Sequence, residues 1–267
     1  MADDEPVPSF YLEQSPGRLR SLPTTGSPWG SQSQHGGPPA ALLARAIERL
    51  DRAGDDVDRV VGRFTMDLLG PVPVGPLTAS GSVLRPGRTV ELCEAVLADE
   101  TAGRPCARAA AWLFPAGGGG PGEAGPPLSH RPEDGDPHPR PAGWSGGYLD
   151  AVEWRWISGA VGEPGPAVVW MRPLVDLVDG EPLTPVQRLL TCVDSASGVS
   201  ATLDPACWLF LNTDLTVHLL RPPVGAWLCL DARTTLGPGH VGMAVSDVYD
   251  ERGLVARSAQ ALLTVRR

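Results

Sequence analysis

The sequence contains no lysine; all 22 of its basic residues are arginine. That excludes a phosphate-loop lysine, a Schiff-base lysine and a serine–lysine nucleophile pair. Positive charge is in the minority, with 31 acidic residues and a net charge of -9. A nucleic-acid binder is expected to carry a basic stripe, and these arginines are scattered among acids. Nucleic acid is therefore not an expected partner. The five cysteines, at positions 93, 106, 192, 207 and 229, are odd in number. None lies at Cys-x-x-Cys spacing, so they read as small buried hydrophobes of a reducing compartment. The histidines lack metal-ligand spacing, and neither a metal nor another cofactor is implied. No apolar run reaches the length of a membrane span. The opening Met1-Ala-Asp-Asp-Glu5 is unlike a secretory signal. The expectation is a cytoplasmic protein with no membrane partner. Arginine in place of lysine, with much alanine, glycine and proline, also suggests a GC-rich bacterial genome.

Glycine (32) and proline (29) are abundant, and they are unevenly spread. Many fall between Pro115 and Gly147, in runs that can neither bury apolar surface nor hold regular structure. Residues 116–147 therefore read as a linker between a first unit, 10–115, and a second, 148–267. Each unit is large enough for its own core. In the first, Pro38 and Pro39 suit a first helical turn, and Leu42, Leu43, Ala46, Ile47 and Leu50 form one apolar stripe. Strand-like runs follow at 60–69, 77–84, 89–98 and 104–114. In the second, Thr184 reads as an N-cap before Pro185, with a stripe of Val186, Leu189, Leu190 and Val193 and a C-cap at Gly198. Strand-like runs follow at 207–220, 226–234, 241–249 and 254–265. Leu68-Leu-Gly-Pro71 matches Leu219-Leu-Arg-Pro222, and Gly103 matches Gly253, each just before the last strand. A shift of about 150 residues throughout indicates a duplicated unit.

The Gln34-His-Gly-Gly37 entry to the first helix carries a family likeness, with Val83-Leu-Arg-Pro-Gly-Arg88, Leu219-Leu-Arg-Pro222 and Ser258-Ala-Gln-Ala261. In this order, within a duplicated chain, they resemble the double-hotdog acyl-CoA thioesterases of the thioesterase II type. The resemblance implies an α+β fold of two tandem hotdog units, each an antiparallel sheet wrapped around one long helix. It implies hydrolysis of a fatty acyl-CoA to free acid and CoA. It implies a catalytic set of Asp194, Gln260 and a strand residue at Asn212, where the family usually has threonine. The duplicated units can pair within one chain, leaving room for a monomer or for a homo-oligomer of such pairs.

The residues suit that chemistry. A carboxylate can act as general base toward water, and amide side chains can hold the water or polarise the carbonyl. Asp194 borders the buried stripe at the end of the second helix. By strict alternation, the odd positions of 207–219 form an apolar face, and Asn212 and Asp214 share the polar one. In the last strand, Val255, Ala259, Ala261, Leu263 and Val265 form the apolar side and Gln260 lies opposite. His35, Gly36 and Gly37 are candidate substrate contacts, through amides at a helix start. Setting Pro39 on Pro185 places Glu48 opposite Asp194; among Arg45, Arg49 and Arg52 it reads as part of a solvated face. The alternative is a non-catalytic acyl-CoA or acyl-carrier binding protein that kept the fold and lost the site.

Overall fold

The computed structural model describes residues 8–51, 58–117, 122, 125–141 and 144–267. Of the expected linker, 118–121, 123–124 and 142–143 lie outside the described residues. The first half contains β1 (Ser9–Ser15), β2 (Arg18–Ser21), β3 (Gly26–Ser27), β4 (Gly30–Gln34), α1 (Gly37–Glu48), β5 (Arg59–Leu68), β6 (Pro76–Arg85), β7 (Glu91–Asp99) and β8 (Arg104–Pro115). The second contains β9 (Val152–Ser158), β10 (Ala167–Pro173), β11 (Asp176–Val178), α2 (Pro185–Val193), α3 (Ala196–Val199) and β12 (Trp208–Asn212). It continues with β13 (Asp214–Leu219), β14 (Leu228–Leu236), β15 (Val241–Asp250) and β16 (Gly253–Arg266). The strands ahead of each helix were not legible in the hydrophobic pattern.

Two hotdog units share one large sheet, in the order β11-β1-β2-β6-β7-β8-β5-β13-β16-β15-β14-β10-β9. Central strands β5 and β13 pair antiparallel, with Thr65 opposite Thr216. The offset that sets Leu68 on Leu219 also sets Thr65 on Thr216, so this pair lies on the pseudo-two-fold axis of the duplication. Gly103 and Gly253 both have positive φ (63° and 139°), which explains glycine ahead of each last strand. The duplication extends to an irregularity. Register slips by one residue in β5 between Val61 and Arg63, against β8. It slips equivalently around Thr213, where Asn212 faces Leu262 but Thr216 faces Ala259.

That bulge corrects the alternation expected for 207–219. An extra residue reverses which side chains face inward. Before it, Phe210 and Asn212 point toward the core side; after it, Leu215, Val217 and Leu219 do. Leu211, on the expected apolar face, is 39% exposed. In β16 the buried side is Ala256, Ser258, Gln260, Leu262 and Thr264, whereas Leu263 on the expected apolar side is 42% exposed. Of these inward polar residues, Gln260 bonds the end of the second helix and Ser258 bonds Ser246 of β15.

The helices lie antiparallel. The start of α1 meets the end of α2, where a Cβ on Gly37 would come within 2.1 Å of the Thr191 carbonyl oxygen. The end of α1 meets the start of α2, where Glu48 accepts hydrogen bonds from Thr184 Oγ1 and Gln187 Nε2. Glu48 is thus not on a solvated face. Burial raises its carboxyl pKa, opposed by these two hydrogen bonds. Thr184 is the N-cap expected, closing a capping box with Gln187. The second helix is not one long rod. It ends at Val193 with Asp194 as C-cap, and Gly198 lies inside the four-residue α3.

Lodged between the sheet and α2, α1 is buried on most of its surface rather than along one stripe, Arg45 included. Arg45 donates to Glu13 (2.6 Å) and to both oxygens of Glu181 (2.9 Å each). Arg45→Ala removes the buried partner of both carboxylates and leaves them only the half-exposed Arg49, 2.7 Å from Glu181 and 3.6 Å from Glu13. A fully buried pair broken this way costs about 3–5 kcal/mol. Glu13 and Glu181 are partly exposed, so about 2 kcal/mol is expected here, read from chemical denaturation. A loss below about 0.5 kcal/mol would mean that the cluster contributes no more than a surface ion pair.

Candidate active site

Asp194 sits where α2 stops, with its side chain only 3% exposed. Two of the other expected catalytic residues donate to it. Asn212, turned inward by the bulge, donates from Nδ2 to Asp194 Oδ1 at 2.8 Å. Gln260 donates from Nε2 to the same Oδ1 at 3.1 Å and to the Asp194 backbone carbonyl at 3.0 Å. The Gln260 Oε1 accepts from the Ser197 amide at 3.2 Å, which fixes the orientation of its side chain. Gln260 is fully buried, and it does not line the adjoining cavity; Asn212 does.

The other carboxylate oxygen, Oδ2, takes no amide donor among the described residues. It faces His35 and Gly36. A Cβ on Gly36 would lie 2.7 Å from Oδ2 and 2.8 Å from Oδ1, so only glycine lets the chain pass this close. His35 Nδ1 is 3.3 Å from Oδ2, but it also lies 3.1 Å from the Gly37 amide. A neutral Nδ1 accepts from Gly37; a protonated one would pair with Asp194. Burial lowers the His35 pKa, and the pull of the Asp194 charge does not overcome it. The ring is therefore neutral at neutral pH, with its proton assigned to Nε2. The His35 ring stacks on Tyr148 at 3.7 Å and 5°, and the Tyr148 hydroxyl donates to the Thr191 carbonyl at 2.8 Å. Tyr148, just past the expected linker, ties the start of α1 to the end of α2, a role that no sequence motif signals.

These charge states fix a pH response. The fold favours neutral His35, so this group's stabilising effect is complete above its ordinary pKa. It is lost as pH falls through that value toward the lowered one. An NMR titration of the His35 Hε1 resonance should show a midpoint below 6.5. A midpoint at or above 6.5 would mean that the ion pair with Asp194 prevails.

The cavity beside Asp194 has a volume of about 440 Å³ and a mostly apolar wall. His35, Gly36, Asn212 and Ser195 line it near the carboxylate; Trp29, Trp144, Trp154 and Phe210 line it elsewhere. The start of α1 is poor in free donors, because Pro38 and Pro39 have no N–H and Gly37 is engaged by His35. The Gly36 amide has no acceptor among the described residues. No group of side chains suited to a metal is found among the described residues. None of the helices described is long and apolar enough to cross a membrane.

The pseudo-symmetric position tells a different story. The bulge at Gly62 sets Val61 where Asn212 stands in the second half. Because Thr65 pairs with Ala110 and Thr216 with Ala259, Ala111 stands opposite Gln260. Glu48 holds the place of Asp194 on its helix, but apolar residues stand at both strand positions, and its carboxylate bonds Thr184 and Gln187 at the start of α2 instead. The duplicated chain carries one complete constellation.

Two family models match. That of the acyl-CoA thioesterase N-terminal domain covers residues 25–114, and that of the acyl-CoA thioesterase C-terminal domain covers residues 132–264. Solved structures share the fold. A protein described as a thioesterase II from Thermobifida fusca is 19% identical, with a TM-score of 0.75 over 98% of this chain and 100% of that one. A hot dog fold protein from Alicyclobacillus acidocaldarius is 18% identical, with a TM-score of 0.71 over 95% of each chain. An acyl-CoA thioesterase II from Mycobacterium marinum is 16% identical, with a TM-score of 0.67 over 96% of each chain. No curated protein matches the sequence.

Proposed function

The chain belongs to the acyl-CoA thioesterase family and is a thioester hydrolase, and from that premise we propose that it hydrolyses fatty acyl-CoA with Asp194 as general base. The observation that carries the reading is the asymmetry of the Asp194 carboxylate. Both side-chain amides are spent on Oδ1, while Oδ2 takes no amide donor among the described residues and Asp194 lines the cavity.

Oδ2 takes a proton from a water in the cavity as the water oxygen attacks the thioester carbonyl. The C–O bond forms and the carbonyl π electrons move to oxygen. The Gly36 N–H has no acceptor among the described residues, and Gly36 lines the cavity, so this N–H suits that oxyanion. The intermediate collapses by breaking the C–S bond, and the proton on Asp194 passes to the departing CoA thiolate. Free acid and CoA are released, and no covalent enzyme intermediate forms. Gln260 is a positioning residue in this scheme. Asn212 positions the same oxygen and reaches the cavity, so it can also hold the water. The apolar wall suits an aliphatic acyl chain, and the CoA phosphates meet surface arginine.

Release of free CoA from a panel of acyl-CoA chain lengths tests the reading, with wild type, Asp194→Ala and Gln260→Ala. Gln260→Ala is expected to lower kcat by about 10²-fold and to move the acidic limb of the pH–rate profile, because it removes donors that hold the base. A fall in kcat with an unmoved pH profile would mean that Gln260 serves packing alone. Binding of acyl-CoA without turnover would favour the non-catalytic alternative.

A further inference from the structure

We propose that Trp29 is the residue that limits acyl-chain length, acting as a gate across the cavity; this deepens the thioesterase reading and rests on it. Trp29 sits at the turn between β3 and β4, which form a two-stranded sheet of their own, outside the large sheet. Pro28 and Trp29 line the cavity. The Trp29 ring meets Phe210 at 4.7 Å and Trp144 at 5.3 Å, both edge-on at 78°. Three rings from three distant segments thus meet at one point of the cavity wall.

The place of that point is set by β12. Phe210 and Asn212 lie on the same inward side of the strand, two residues apart, hence roughly 7 Å along it. An acyl group with its carbonyl at Asp194 reaches the rings after a few carbons. The hairpin can yield at its tip without disturbing the site, because its base is pinned. The amide of Gln34 donates to the Val72 carbonyl at 2.8 Å, and that of His35 donates to the Thr25 carbonyl at 2.8 Å. The Gln34 side chain is held between the Tyr11 hydroxyl and the Pro73 carbonyl, each at 2.7 Å. Among the described residues the tip is held more lightly: the Trp29 amide bonds only within the turn, to Ser27 Oγ at 3.2 Å, Trp29 is half-buried, and its ring meets its neighbours edge-on. Removing the indole extends the apolar cavity past this point and leaves Asp194, Asn212 and Gln260 in place.

The test is kcat/KM for butanoyl-, octanoyl- and hexadecanoyl-CoA with wild type, Trp29→Phe and Trp29→Ala. The ratio of hexadecanoyl to butanoyl is expected to rise at least tenfold in Trp29→Ala and by an intermediate amount in Trp29→Phe, with unfolding still cooperative in both. A ratio constant within twofold overturns the gate. So does an equal rise in KM for every chain length, which would put the rings along the pantetheine arm. Failure of the thioesterase reading is distinct: no variant, wild type included, would release CoA. The ratio is then read in Kd by calorimetry, and a ratio unmoved there overturns the gate as well.

Discussion

Asp194→Asn is expected to lower kcat by about 10³-fold while the protein stays folded and binds acyl-CoA as before. The substitution keeps the shape of the side chain. An amide carbonyl at the Oδ1 position still accepts from Asn212 and Gln260. An amide NH₂ at the Oδ2 position lies 3.3 Å from His35 Nδ1, which is neutral and keeps its hydrogen bond from the Gly37 amide, so no ion pair is lost there. What disappears is a group able to take a proton from water. The expected signature is a fall in kcat and kcat/KM with an unchanged melting temperature and an unchanged Kd for substrate. A variant retaining more than a tenth of the wild-type kcat would remove Asp194 from the chemistry.

The second large effect is at the glycine pair, where two neighbouring substitutions should separate. In Gly37→Ala the new methyl lands 2.1 Å from a backbone oxygen, that of Thr191, which also accepts from Tyr148. Backbone cannot rotate away, so α1 and α2 must part. Overpacking of this kind costs about 1–3 kcal/mol. Because α2 ends in Asp194, hydrolysis should fall with stability. In Gly36→Ala the methyl meets only the Asp194 carboxylate, at 2.7–2.9 Å. The side chain can swing, but only by giving up the Asn212 and Gln260 hydrogen bonds. Activity should be lost by more than stability, because the bonds given up are those that hold the base while the helix pair stays closed. Thermal unfolding and CoA release on both variants check this; equal behaviour of the two would contradict the packing described for the helix pair.

Much of the fold is written in the sequence because the chain repeats itself. The Leu-Leu-x-Pro and pre-strand glycine matches give the duplication, and the Thr184–Pro185 pair gives the start of α2. Asp194, Asn212 and Gln260 were reached through a family pattern, and the geometry brings all three together. Other features were not legible. Strict alternation puts Asn212 on the solvent side, and only the extra residue at Thr213 turns it inward; nothing in Leu-Asn-Thr-Asp marks a bulge. Apolar residues in β16 read as a core face, yet the inner side includes Ser258 and Gln260, which bond Ser246 and the end of the second helix. Arg45 and Glu48 look like an ordinary charged helix surface until α2 covers them. Tyr148, Trp29, Trp144 and Phe210 are far apart in the chain and meet only in the folded cavity.

The central claim is that Asp194 activates water and never bonds to the acyl group. A single turnover of acyl-CoA by excess enzyme in ¹⁸O-labelled water separates these directly. General-base attack predicts one ¹⁸O in the released acid and none in the peptide that carries Asp194. A released acid free of label with ¹⁸O in the Asp194 carboxylate, or an acylated Asp194 peptide trapped with hydroxylamine or borohydride in the same turnover, would reveal an acyl-aspartyl anhydride and contradict the account.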